Sequence, residues 1–270
     1  MSGAYLSMVQ LSGFNLPSER RVHLVLKAYY DASRDGKGIE AVTLCGVAAT
    51  QSVWEHFEPT WEAVLDKHMV PDRILRMADL MALEGAFSRE KGWDERQRWA
   101  LLGDLWNVLG AHRDTNLRAY SCTVLLRDWA RAKAAIIGKL RSPESMCVNF
   151  CVGGLRLPPE CAGERKPILL YFDNNEPFMH KVNRVWQRYR RRRGTLFRQI
   201  GTIENVDSEY YPVQTADMLA WIVNRKHLGR RDALVNACAA CAAIAVDGSE
   251  KVYTYDTILE DYPDGTLRPR

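Results

Sequence analysis

The sequence predicts a mixed α/β fold, a sheet that opens with an antiparallel hairpin and is flanked by helices. Three observations carry this. Leu24–Ser33 and Ala41–Ala49 are apolar, β-branched and aromatic runs joined by a short polar turn containing glycine, the pattern of a hairpin. Further strand-like runs at Leu117–Leu126, Ile168–Asp173 and Ile200–Val206 alternate with segments of helical periodicity. Finally, two of the runs are built alike: apolar and aromatic residues lead to an aspartate, Asp31 in the first and Asp173 in the other.

Taken in order, residues 1–21 mix Ser, Gly, Pro and charge without periodicity and read as a loose leader. A single domain with helical insertions is expected over 22–246, and a C-terminal tail over 247–270. After the hairpin, Trp54, Phe57, Trp61, Val64, Leu65 and His68 recur at spacings of three and four, which predicts an amphipathic helix ended by Pro71. Arg73–Met77 reads as a short strand with Asp79 just beyond it, and a helix is expected from Trp93 to Leu109. Beyond the Leu117 strand come a helical region over Asp128–Leu140, an apolar segment over Glu144–Leu155 and a Pro/Gly/Glu loop over Leu157–Lys166. Val182, Val185, Trp186 and Tyr189 mark one face of the next helix. In the helix that begins near Val213, spacing puts Gln214, Asp217, Trp221 and Asn224 on one stripe. An Ala-rich helix over Arg231–Val246 and a terminal strand over Lys251–Tyr255 close the chain.

Composition narrows the function classes. An apolar content of 47% supplies a substantial core, while 37 Lys and Arg against 33 Asp and Glu leave a net charge of +4, too small to define a polyanion partner. No run approaches the roughly 18 apolar residues of a membrane span, and the N-terminus lacks a secretory pattern, so no membrane and a cytoplasmic location are expected. The 7 cysteines are odd in number and scattered, which argues for reduced thiols. Cys147/Cys151 and Cys238/Cys241 lie in apolar segments without turn glycines, so they read as small core residues rather than zinc ligands. There is no Gly-x-Ser-x-Gly elbow, no His-Glu-x-x-His helix and no phosphate-binding loop of the Walker type.

The acids and a run of arginines carry the chemistry. Asp31 at the end of a buried strand serves either as a turn former or as a metal ligand on a rigid element, and the same construction at Asp173 is hard to ascribe to turn chemistry twice. Asp217, in an otherwise apolar helix, must lie at a rim or meet a cation. Lys181, Arg184, Arg188 and Arg191 recur on one face of the preceding helix, with Arg190, Arg192 and Arg193 extending the cluster. Such a patch neutralises phosphates; it is equally what a solvated helix end with favourable dipole placement looks like. This order of elements suits a ribonuclease-H-like core, in which the first strand is central and acids from different elements meet.

Four segments, Tyr30–Ser33, Met77–Leu80, Phe172–Phe178 and Tyr211–Trp221, resemble domain-of-unknown-function family 3800 (DUF3800) over residues 24–225. The resemblance implies a ribonuclease-H-like fold and a metal-dependent nuclease, with Asp31, Asp173, Glu176 and Asp217 as active-site acids and Asp79 as a further metal ligand. The chain departs from the family at one place: the family reads Asp-Glu-Ser-Gly, whereas this chain has Asp31-Ala32-Ser33-Arg34, without the glutamate.

Clustered carboxylates repel, and oxygen-only ligands favour Mg2+ or Mn2+. Two such ions about 4 Å apart activate a water and stabilise the departing oxyanion. In the expected arrangement Asp31 bridges both ions, Asp173 and Asp217 each hold one, and Glu176 holds metal or orients the water. Lys181, Arg184, Arg188, Arg191 and Arg192 hold the nucleic acid, DNA or RNA, and a homo-oligomer or protein partner is left open. The alternative is a non-catalytic nucleic-acid-binding or interaction protein on the same fold, supported by the missing glutamate at position 32.

Overall fold

A computed structural model describes residues 25–34, 40–136, 140–155, 167–174, 178–190, 200–229, 235–239 and 247–261. The leader 1–21 and the loop Leu157–Lys166 lie outside them. The hairpin consists of β1 (Leu26–Arg34) and β2 (Ala41–Thr50), paired antiparallel with Asp31 opposite Cys45. Strand β3 (Arg118–Leu125) pairs antiparallel with β2, while β4 (Ile168–Asp173) and β5 (Ile200–Val206) extend the sheet in parallel from β1. The order is β5-β4-β1-β2-β3-β6, so the first strand is central, as in the ribonuclease-H-like mixed sheet expected from the sequence. The sixth strand, β6 (Asp247–Tyr253), lies parallel to β3, so the start of the segment read as a tail is built into the sheet.

Two helical layers cover the sheet, and the alternation of strand side chains sorts them. On one face, Tyr29, Cys45, Val47 and Ala49 join α1 (Gln51–Lys67), α2 (Met77–Ala82), α3 (Glu95–Ala111) and α7 (Tyr211–His227). On the other, Ala28, Tyr30, Leu44 and Cys122 join α4 (Leu126–Ala135), α5 (Pro143–Gly153), α6 (Met179–Arg190) and the closing helix α8 (Tyr255–Glu260). The predicted stripe of α1 is the buried one: Trp54, Phe57, Trp61 and Leu65. Asp94 and Gln97 start α3 with reciprocal capping bonds. The thiols of Cys147 and Cys151 point at sheet carbonyls, to Cys122 at 3.4 Å and Leu44 at 3.4 Å respectively. No described helix is long and apolar enough to cross a membrane.

One local expectation is corrected. Arg73–Met77 is not a strand: Pro71–Arg73 is a 3-10 turn and Met77 begins helix α2. Only residues 74–76 are non-helical, too few to pair, and they serve as the connection that delivers Met77 to its helix. Asp79 therefore stands in the first turn of α2 instead of beyond a strand.

The centre of the sheet is held by aromatic stacking on both faces. Tyr29 stacks on Tyr171 with centroids 4.8 Å apart, and Tyr30 stacks on Phe172, also at 4.8 Å. The Tyr30 ring also covers Gly46, and its hydroxyl donates to Cys151 O at 3.3 Å. A methyl group at Gly46 would overlap that ring, which is pinned by its neighbours. Gly46→Ala is therefore expected to lower stability by about 1–3 kcal/mol, read as a lower urea midpoint with an unchanged slope.

Candidate active site

The register of β1 and β4 pairs Tyr30 with Phe172, so Asp31 and Asp173 are the next residues on adjacent parallel strands. By alternation both follow Tyr29 and Tyr171 onto the face covered by α7. Helix α7 begins with Tyr210 as its cap and Pro212 in its first turn, a position where proline removes no needed hydrogen bond. Asp217 is half-buried on this helix, and its carboxylate hydrogen bonds with the Asp31 side chain while feeling the charge of Asp173. Three acids from three elements thus adjoin at the carboxyl ends of β1 and β4.

The rest of the α7 stripe locks this arrangement. Gln214 accepts from Trp61 Nε1 at 3.3 Å and donates to Arg73 O at 2.9 Å and to Ser208 O at 3.2 Å. Asn224, fully buried, donates through Nδ2 to Ser33 O at 3.2 Å and to Thr43 Oγ1 at 3.1 Å. Thr43 in turn bonds to Thr123 at 2.8 Å, so one amide ties the helix to three strands. At the C-terminal end Lys226 and His227 bond to Glu250 of β6, and the His227 contact in particular holds the Glu250 carboxyl down to about 2.

The electrostatics follow from burial. Loss of water pushes Asp217 up to about 6, and the negative charge of Asp173 adds to the rise. Opposing it are the Met77 N–H, which donates to Asp217 Oδ2 at 2.9 Å, the bond from Asp31, and the positive charge of Arg76. The peptide joining Arg76 to Met77 therefore forms one wall of the acid cluster. Neither residue stands out in the sequence beyond the cationic side chain just ahead of a helix start.

The remaining predicted residues are placed as follows. The half-buried Asp79 turns its carboxylate toward Gly85, in the turn that follows α2. Glu176, Arg191 and Arg192 lie outside the described residues, as does the side chain of Arg188. Lys181 is half-buried and faces Glu144 of α5 at 4.0 Å, whereas Arg184 is exposed. Helix α6 packs Val182 and Val185 on the face opposite α7.

The oxygen-only donor set suits a hard divalent cation, and a cation would relieve the repulsion that raises Asp217. Among the described residues, however, no three of His, Cys, Asp and Glu stand as a set closed around an ion. Asp31 and Asp217 are instead drawn onto each other.

No family model matches the chain, so the resemblance to DUF3800 rests on the quoted motifs alone. No curated protein matches it either. Among solved structures it is similar to one described as Bst-RNase HIII in complex with Mn2+, at 11% identity and a TM-score of 0.39, over 93% of this chain and 73% of that one. A likeness of that strength says nothing about activity.

The raised Asp217 has a stability consequence whose sign is fixed. An unfolded aspartate titrates near 4, so from about pH 4 to 6 the folded chain holds the extra proton. The stability tied to this group falls as pH rises through that window and stays lost above it. Asp217→Asn keeps an acceptor for Met77 N–H but cannot ionise. It is expected to be roughly 2 kcal/mol more stable than the parent at pH 8, with the difference gone near pH 4, as read by urea unfolding at both pH values.

Proposed function

We propose that the protein is a divalent-cation-dependent nuclease that hydrolyses phosphodiester bonds at the Asp31–Asp173–Asp217 cluster. The observation that carries this reading is the meeting of Asp217 with Asp31, beside Asp173, where the pairing of β1 with β4 ends at Tyr30 and Phe172. A purely structural role has no use for three acids at one point, since each raises the cost of ionising the others. Catalysis of phosphoryl transfer has such a use.

In this reading Asp31, Asp173 and Asp217 would hold Mg2+ or Mn2+, and Glu176 would hold metal or orient the water. Such cations would supply water activation and stabilisation of the departing oxyanion. The chain's own groups fix the geometry. Met77 N–H holds Oδ2 of Asp217 at 2.9 Å, fixing the orientation of this carboxylate. The water oxygen joins phosphorus, one P–O ester bond breaks, and the departing alkoxide takes a proton, so that atoms and charge balance. A polyanion running past Asp173 over the first turns of α6 would meet Arg184, and Arg188, Arg191 and Arg192 would extend that contact.

A second reading, a non-catalytic nucleic-acid-binding or interaction protein, has one observation in its favour. Asp217 already has structural partners in Asp31 and Met77, and position 32 carries alanine. End-labelled single- and double-stranded DNA, RNA and hybrid, offered with Mg2+ or Mn2+, separate the two. Cutting that needs the cation and falls about 100-fold or more in Asp31→Asn and Asp217→Asn is the expected result. Mn2+ is also expected to raise the melting temperature of the parent at pH 8 and not that of either variant. Intact binding without cutting under any cation would leave the second reading.

A further inference from the structure

Helix α6, which carries Lys181 and Arg184, packs on the face of the sheet opposite α7, and its Lys181 already faces Glu144. A phosphodiester entering a cluster of three carboxylates nevertheless needs positive charge close by. Arg76 is the candidate. It is exposed, and its own peptide bond to Met77 places the next N–H 2.9 Å from Asp217 Oδ2. Its neighbour Arg73 is already committed to Glu62 and Asp66, whereas Arg76 forms no ion pair with a described residue. Its charge is felt at Asp217, where it favours the ionised carboxylate.

The entry to α7 carries an exposed aromatic ring. Tyr210, 39% exposed, is one of the few large apolar side chains that the described fold leaves open to water. It caps α7 seven residues before Asp217, hence on the same side of the helix and about 10 Å along its axis. The loop that carries it is held at the site. Tyr210 N–H donates to Asp207 O at 3.1 Å, and the Asp207 carboxylate accepts from the Asn174 side chain, the residue after Asp173. Asn174 N–H bonds in turn to Val206 O at 2.9 Å. Tyr210 thus carries an exposed ring on a held backbone, two turns of helix before Asp217, an arrangement that base stacking can use.

We infer that the acid cluster takes a single-stranded segment of nucleic acid, with Arg76 holding a backbone phosphate at the site and Tyr210 stacking a neighbouring base. Stacking on a side chain requires a base free of its duplex partner stack, so the ring selects single strands over duplex. The guanidinium acts on both, because a phosphate carries no sequence or strand information. This inference rests on the nuclease reading for what happens next, but the binding it describes does not depend on cleavage.

The test is fluorescence anisotropy of short labelled single-stranded DNA and RNA oligonucleotides and their duplexes, with EDTA present so that binding is read without cutting. Tyr210→Ala is expected to weaken single-strand binding about 5- to 100-fold and duplex binding far less, while Tyr210→Phe, which keeps the ring, stays within about twofold of the parent. Arg76→Ala is expected to reduce the slope of log affinity against log salt by about 1 on either substrate, with Arg76→Lys retaining it. Both side chains are exposed, so the variants should melt with the parent. Equal loss in Tyr210→Phe and Tyr210→Ala, or an unchanged salt slope in Arg76→Ala, would overturn the inference. Running the same strands with Mn2+ separates the two proposals: ring-dependent binding without cutting removes the nuclease reading alone, and cutting indifferent to both residues removes this one alone.

Discussion

Helix α7 can satisfy its polar stripe in only one place on the sheet. Gln214, Asp217 and Asn224 all lie on the side turned inward, and a buried amide or carboxylate without partners is costly. The partners exist at one register: Trp61, Arg73 O and Ser208 O for Gln214, Met77 N–H and Asp31 for Asp217, Ser33 O and Thr43 for Asn224. A slide of the helix by one turn would strand all three. The position of Asp217 over Asp31 is therefore a consequence of the whole stripe and not of the acids themselves, which repel.

That arrangement places strain where chemistry is proposed. Asp217 is more basic than a free aspartate because the fold both desolvates it and sets it beside Asp173. The surrounding structure overdetermines the position: aromatic stacks at Tyr29–Tyr171 and Tyr30–Phe172 fix β1 against β4, and Glu250 fastens the far end of α7. Sites that hold like charges together in this way trade stability for function, a common feature of catalytic clusters. The buried Asn224 Oδ1, which finds no partner among the described residues, is a second small concession on the same helix.

The layout also separates two kinds of positive charge. One kind, Lys181 and Arg184, rides on α6 in the connection from β4 to β5, and that helix packs on the face opposite α7. The other, Arg76, sits on the short connection into α2 that the acid cluster grips through Met77.

Much of the fold is legible in the sequence, because strands and amphipathic helices announce themselves through periodicity. The hairpin, the placement of Asp173 at the end of β4, the buried face of α1 and the polar stripe of α7 all follow from spacings of two, three and four residues, whereas Asp31 lies three residues before the end of β1. The Arg73–Met77 stretch misled, since five residues with an apolar pair cannot distinguish a strand from the approach to a helix. What periodicity cannot supply is which elements meet. That Asp217 reaches Asp31, that a backbone N–H from Met77 completes the cluster and that the charge of Arg76 is felt at Asp217 are long-range facts. They were decided by sheet order and by the register of α7, where burial of polar groups, rather than any local propensity, selects a single packing.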